Sequence, residues 1–266
     1  MSESYPVAKS PLMEIERLTK AFKGLVAVDN YHLQLQPGEI LGIIGPNGAG
    51  KSTIFNLMTG HIHATRGRVV LAGKEITHIG PDVIARMGIG RTFQNIRLFP
   101  SMTVLENVVT ARQLREPAGF FETVLSLPSF LRREKRLVDS SLEELALFDL
   151  ADRADTPATS LPYGDQRRLE IVRALALRPK VLLLDEPMSG MNPQEDARMV
   201  KWIRNIREQF DLTIIIVEHN MPVVMELCER IQVLNYGQVI AEGKPEQVRS
   251  DPLVIESYLG KASTRA

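Results

Sequence analysis

The stretch Gly45-Pro46-Asn47-Gly48-Ala49-Gly50-Lys51-Ser52 constrains this chain more than any other. An apolar run, Ile40-Leu41-Gly42-Ile43-Ile44, precedes it and reads as a buried strand. Thr53-Ile54-Phe55-Asn56-Leu57-Met58 follows and reads as a helix that stops near Gly60. Strand, G-x-x-x-x-G-K-S loop and helix in that order make a phosphate-binding loop. Glycine lets the backbone curl so that successive N–H groups face phosphate oxygens. The helix that follows adds the partial positive charge of its N-terminus. Lys51 can reach the β- and γ-phosphates of a nucleotide, and the Ser52 hydroxyl can ligate Mg²⁺.

At 266 residues the chain can bury a large core, as one domain or one domain with an inserted lobe. Lys+Arg and Asp+Glu balance at 32 each, which gives no electrostatic argument for nucleic acid or an acidic membrane surface. The one cysteine, Cys228, lies in a periodic apolar stretch, as a core thiol would, and a reducing compartment fits. No apolar run approaches the length of a membrane span. Met1 to Pro6 has no basic start and no apolar core, so a signal peptide is not expected. A membrane role would need another chain to hold this one there.

Residues 1 to about 10 read as loose. Leu12 to Leu18 and Tyr31 to Leu35 alternate as strands, with Phe22 expected in the loop between them. A loop aromatic there can stack on a purine or pack under the loop. Arg68 to Leu71 reads as a strand, Pro81 to Met87 as a helix, and Gly90 to Gln94 as extended. From Thr103 to about Ala154 the pattern is charged helices, opened by the capping box Thr103-Val104-Leu105-Glu106. Arg132 to Arg136 reads as a solvated helix face, and Phe120, Phe121 and Phe130 as packing of this lobe. Thr156 to Gly164 reads as a linker, followed by a helix to about Leu177. Val181 to Glu186 and Thr213 to Val217 are short buried strands separated by a helix over Pro193 to Phe210. A helix over Met221 to Cys228, two strands joined at Tyr236-Gly237 and two short helices complete the chain. This alternation predicts an α/β fold: a mainly parallel sheet covered on both faces, with antiparallel N-terminal strands and an inserted helical lobe.

Asp185 and Glu186 end a buried strand, where α/β folds bind ligands. A carboxylate in that position beside a phosphate-binding loop holds Mg²⁺, directly or through water. Glu186 can turn toward a water aligned on the γ-phosphate, as general base or as an orienting group. His219 ends the next strand similarly and can reach the same phosphate.

With these residues in order, the chain resembles the P-loop ATPase of ATP-binding cassette (ABC) transporters over nearly its whole length. Phe22 matches the aromatic that stacks on adenine, and Gly45 to Thr53 the ATP-binding Walker A segment. Gln94 matches the Q-loop glutamine, which contacts Mg²⁺ and senses the membrane partner. Leu161-Pro162-Tyr163-Gly164-Asp165-Gln166 lies where the signature motif belongs. Val181 to Glu186 is the Walker B strand, with Asp185 on Mg²⁺ and Glu186 catalytic. Ser189-Gly190-Met191-Asn192 is the D-loop, and His219 the switch histidine. The resemblance implies one cassette over 1–266. Its parts would be a RecA-like core with an antiparallel β subdomain (12–95 and 177–245), a helical subdomain (96–176) and a C-terminal helical tail (246–266).

Within the family the chain is similar to the larger ATPase subunit of bacterial branched-chain amino acid importers. That likeness is carried by Arg91 to Phe99, Met102 to Asn107, Tyr163 to Ile171 and the ending Tyr258-Leu259-Gly260. Urea and amide importers share much of this pattern. The resemblance implies ATP and Mg²⁺ as ligands, a second and different ATPase subunit, and two transmembrane permease subunits. It further implies a periplasmic or extracellular solute-binding protein acting indirectly, no nucleic acid, and a peripheral position on the cytoplasmic face of the plasma membrane. Ile96, Leu98, Phe99 and Met102 would line the groove for the membrane subunits, or pack inside the lobe. Soluble cassette ATPases of DNA repair or translation usually carry two cassettes or a long coiled coil, and neither is present. A GTPase or small-molecule kinase would leave Glu186 and His219 unexplained, and no N-K-x-D motif is found.

Two positions depart from the family pattern. Pro162 replaces the signature serine whose hydroxyl binds the γ-phosphate across the dimer, a contact worth about 1.5–3 kcal/mol. Backbone N–H groups from Tyr163 onward can still face a phosphate. Asn192 replaces the usual D-loop aspartate, keeping hydrogen-bonding ability without the charge.

Overall fold

The computed structural model describes residues 10–115 and 128–259. The N-terminal stretch 1–9, Phe120, Phe121 and Gly260 lie outside the described residues. In chain order the strands are β1 (Met13–Phe22), β2 (Leu25–Leu35), β3 (Ile40–Ile44), β4 (Arg66–Leu71) and β5 (Lys74–Glu75). They continue as β6 (Ile89–Arg91), β7 (Val181–Asp185), β8 (Thr213–Val217), β9 (Arg230–Asn235) and β10 (Gln238–Gly243). Helices α1 (Lys51–Met58), α2 (Pro81–Met87), α3 (Val104–Arg115), α4 (Pro128–Ala146) and α5 (Tyr163–Leu175) are followed by α6 (Pro193–Phe210), α7 (Met221–Leu227), α8 (Pro245–Arg249) and α9 (Pro252–Leu259). The chain divides into two compact units, 1–81 with 228–266, and 82–227.

In the first unit an antiparallel sheet has the order β2-β1-β4-β5. Phe22 is the last residue of β1, not a loop residue, because Lys23 and Gly24 close a two-residue turn with φ of 43° and 97°. Positive φ at both turn positions matches the twist of the flanking strands, so pairing runs to the turn. β3 pairs in parallel with β9, and β9 antiparallel with β10. Every residue of β3 is buried, as expected of a strand covered on both faces. The Tyr31 hydroxyl of β2 donates to Gln232 Oε1 of β9 at 2.7 Å, satisfying two polar groups inside the core. Cys228 is buried and in no disulfide.

The second unit contains the parallel strands β6, β7 and β8, with β7 in the middle. All ten residues of β7 and β8 are buried. α3 starts as its sequence predicts: the Glu106 N–H donates to Thr103 Oγ1 at 3.2 Å and the Thr103 N–H to Glu106 Oε2 at 2.8 Å. Arg112 of α3 pairs with Glu144 of α4 in the interior of the helical region. On α4, Arg132, Lys135 and Arg136 are exposed, as the charge run predicts, whereas Arg133 and Glu134 of the same run are half-buried. Phe148 and Trp202 pack with ring centroids 5.8 Å apart, and the Arg168 guanidinium lies 4.8 Å from the Trp202 ring. No helix among the described residues is long and apolar enough to cross a membrane.

Candidate active site

In the first unit the phosphate-binding loop runs from the end of β3 into α1. Gly45 has φ 149°, and a Cβ there would fall 2.2 Å from the Leu234 carbonyl oxygen. Gly50 has φ 106°, and a Cβ would fall 2.6 Å from the Ala27 carbonyl oxygen. Neither position admits a side chain, so the loop's curl is built into the sequence. Lys51 is nearly buried and folds back along the loop. Its Nζ donates to the Gly45 carbonyl at 2.7 Å and the Pro46 carbonyl at 3.0 Å. Ser52 is exposed at the start of α1 and Thr53 is half-buried beside it. The β9–β10 turn supports the loop from behind, with the Gly237 N–H donating to the Ala49 carbonyl at 2.9 Å. Phe22 is 44% exposed, and Lys20 Nζ sits 4.9 Å from its ring centroid. An exposed ring at a hairpin end is available for stacking and does not pack under the loop.

In the second unit two side chains meet at Glu186. Gln94 Nε2 donates to Glu186 Oε2 at 3.2 Å, and His219 Nδ1 lies 4.0 Å from the same oxygen. Glu186 follows β7 directly and has φ 49°, in the sparsely populated left-handed region. That conformation swings its carboxylate out of the strand direction, and such strain collects where function needs it. Asp185, the last residue of β7, is buried and paired with Arg91 of β6 at 3.2 Å. Burial pushes the Asp185 carboxyl above its usual range, and Arg91 opposes that rise.

Arg91 is a partner that sequence pattern does not reveal, because its carboxylate lies 94 residues along the chain. Glu218 is another. It is buried, and its carboxylate accepts N–H groups from Met188 (3.0 Å), His219 (3.1 Å) and Asn220 (3.4 Å). One side chain thereby fixes the loop after β7 against the loop after β8. Burial raises the Glu218 pKa, and these backbone donors oppose the rise.

The segment 161–166 leads into α5. Pro162 is the residue that caps the helix, with φ −53° and ψ 153°, and it lies outside the first helical turn. The Asp165 and Gln166 N–H groups both donate to the Pro162 carbonyl at 3.0 Å. That narrows the N–H groups this helix start can offer a phosphate to those of Tyr163 and Gly164. Asn192 caps α6: its Oδ1 accepts from the Gln194 and Glu195 N–H groups, and Glu195 Oε2 accepts the Asn192 N–H at 2.9 Å. A neutral amide fills this role as well as a carboxylate. Ile96, Leu98 and Met102 are half-buried and Phe99 is exposed, so none of the four belongs to the lobe core.

Each unit by itself carries an oxygen donor of the kind a hard divalent cation takes. Asp185 offers one buried carboxylate and Ser52 one exposed hydroxyl. Mg²⁺ is commonly bound through one or two carboxylates together with substrate phosphates.

Residues 28–189 match the family model described as ABC transporter, and residues 238–263 match one described as branched-chain amino acid ATP-binding cassette transporter. The chain is 43% identical over 252 residues to the high-affinity branched-chain amino acid transport ATP-binding protein LivG of Escherichia coli K12, covering 95% of this chain and 99% of that one. It resembles the crystal structure of the ADP conformation of MJ1267, an ATP-binding cassette of an ABC transporter, with TM-score 0.81 and 31% identity over 94% of this chain and 99% of that chain. A dimeric structure of MJ0796, a bacterial ABC transporter cassette, is similar at TM-score 0.76 and 26% identity over 88% of this chain and 98% of that chain.

Proposed function

This chain belongs to the ABC transporter ATPase family, and we propose that it is the ATP-hydrolysing subunit of an importer for branched-chain amino acids. Hydrolysis of ATP to ADP and phosphate is the activity of the family. What carries the transport reading is the likeness of the C-terminal segment, 238–263, to cassettes that serve branched-chain amino acids.

In this reading the Phe22 ring stacks on adenine, and Lys51 with the N–H groups of Gly45 to Thr53 holds the phosphates. Mg²⁺, when bound, neutralises phosphate charge and orients the γ-phosphate; the Ser52 hydroxyl, Gln94 and Asp185 would hold it. Glu186 takes a proton from the attacking water as general base. His219 and Gln94 keep its carboxylate oriented through the oxygen they share. Arg91 opposes the rise that burial imposes on the Asp185 carboxyl. Leu161 to Gln166 and the D-loop Ser189 to Asn192 face the ATP of a partner cassette. Closure of the pair is favoured by contacts made only in the closed state, and loss of the γ-phosphate reopens it.

The partner is a second, different ATPase, and two permease subunits follow the opening and closing from the membrane. Ile96, Leu98, Phe99 and Met102 supply the apolar surface for them. The chain thus works peripherally on the cytoplasmic face of the plasma membrane, with a solute-binding protein delivering cargo from outside. Purification from membranes in mild detergent tests the assembly. Two integral membrane subunits and a second ATPase should accompany this chain. Recovery of the chain alone from the soluble fraction, with none of these bound, would contradict it.

A further inference from the structure

Tyr163 opens α5 with nearly half of its surface exposed, and it makes three contacts that matter here. A Cβ on Gly190 would come 3.0 Å from Tyr163 Cε1, so the D-loop backbone lies against the ring. The Arg167 guanidinium sits 5.3 Å from the ring centroid. Arg167 Nη2 donates to the Tyr163 hydroxyl at 2.8 Å. The same guanidinium donates to the Phe93 carbonyl from Nη1 at 2.7 Å and to the Gln94 carbonyl from Nη2.

Glu170 completes the grip on the opposite polarity of that backbone. It accepts the Phe93 and Arg97 N–H groups, each at 3.3 Å. Both Arg167 and Glu170 are almost fully buried. Gln94, held through its backbone in this way, reaches Glu186 with its side chain. All these residues belong to one compact unit.

We propose that Arg167 is a positioning residue that joins the signature segment, at Tyr163, to the catalytic carboxylate Glu186 through the backbone of Gln94. The proposal rests on the reading of Glu186 as the water-activating group and of 161–166 as the surface given to a partner's ATP. A guanidinium can hold two neighbouring carbonyls and a hydroxyl in one fixed plane; a lysine ammonium cannot. Nη2 is shared between the Tyr163 hydroxyl and the Gln94 carbonyl, so a shift of Tyr163 is passed to Gln94. A misplacement of about 1 Å at a reacting group costs about 10²-fold in rate. The half-site this chain lends away therefore reports to the half-site it keeps.

The test uses the assembled transporter, with the partner ATPase inactivated at its own water-activating glutamate so that one site turns over. Tyr163→Phe removes a single hydroxyl and keeps the half-exposed ring. It should lower kcat about tenfold while KM and the Kd for ATP change less than twofold, because 45–53 is untouched. Arg167→Lys should lower kcat further, by about 10²-fold, and speed amide hydrogen exchange in 92–97. Wild-type kcat in Tyr163→Phe would overturn the proposal, as would a fall in kcat matched by a rise in KM and a lower Tm. If Arg167→Lys fails to assemble, Tyr163→Phe decides alone. Glu186→Gln in the same assembly checks the underlying reading separately: hydrolysis that survives it would remove Glu186 as the base, and the proposal with it.

Discussion

Gln94 Nε2 and Glu186 Oε2 stand 3.2 Å apart, joining a glutamine in the loop after β6 to a carboxylate just past the end of β7. His219 approaches the same oxygen from the loop after β8. Glu186→Gln should leave ATP binding intact and lower hydrolysis by about 10²–10⁴-fold, the range for loss of a general base. Single-turnover hydrolysis alongside equilibrium nucleotide binding separates the two effects. Loss of binding with unchanged turnover of bound ATP would contradict the assignment.

Lys51 points along its own loop, with its ammonium on the Gly45 and Pro46 carbonyls. Lys51→Ala should weaken ATP binding by about 1.5–3 kcal/mol, roughly 10- to 150-fold in Kd. Titration with a fluorescent ATP analogue measures this directly. An unchanged Kd would place the phosphates elsewhere.

Pro162 offers no hydroxyl at the start of α5, so the ATP it closes on should belong to the weaker of two unequal sites. We predict that the glutamate-to-glutamine change has different effects in the two subunits of the pair. Steady-state ATPase rates with Glu186→Gln in this chain, or the matching change in the partner, reveal it. Equal losses would mean that proline costs nothing at that position.

Burial raises the Glu170 pKa, and the Arg97 and Phe93 N–H groups and Arg167 oppose the rise. A carboxyl whose folded pKa is raised contributes stability below its unfolded pKa, and that contribution is lost as pH climbs through the folded value. Wild type should therefore lose stability relative to Glu170→Gln as pH climbs from about 4.3, the ordinary glutamate value, through the raised folded value. Thermal denaturation of both proteins across that range checks the sign. A gap that moves toward wild type as pH rises would contradict it.

The Arg112–Glu144 pair lies buried between α3 and α4. Arg112→Ala would strand a carboxylate inside the helical region and should cost about 3–5 kcal/mol of unfolding free energy. Denaturant unfolding measures the loss; a change within about 0.5 kcal/mol, the size of an ordinary surface substitution, would show that the pair is not confined.

Local pattern made much of this molecule legible. The phosphate-binding loop is contiguous, and its glycines are dictated by backbone approach at Gly45 and Gly50. The four-residue apolar runs Val181–Leu184 and Ile214–Val217 mark β7 and β8 because both faces of those strands are covered. Long-range pairings were hidden. Arg91 and Asp185 are 94 residues apart, and Arg167 and Phe93 are 74 apart; no periodicity encodes such partners. Phe22 sits in β1 because the turn is shorter than the strand pattern suggests, and α5 begins at Tyr163, inside the stretch that reads as a linker, where helix boundaries are least fixed. The capping role of Asn192 was written locally, in Asn192-Pro193-Gln194-Glu195, but its D-loop position drew the reading toward charge instead.

The most direct test of the central claim is ATP hydrolysis by the complete transporter in lipid vesicles, measured with and without a branched-chain amino acid bound to the solute-binding protein. The account predicts that leucine, isoleucine or valine raises the rate several-fold and that Lys51→Ala abolishes the increase. A rate that ignores these amino acids, in an assembly that hydrolyses ATP and responds to another solute, would contradict it.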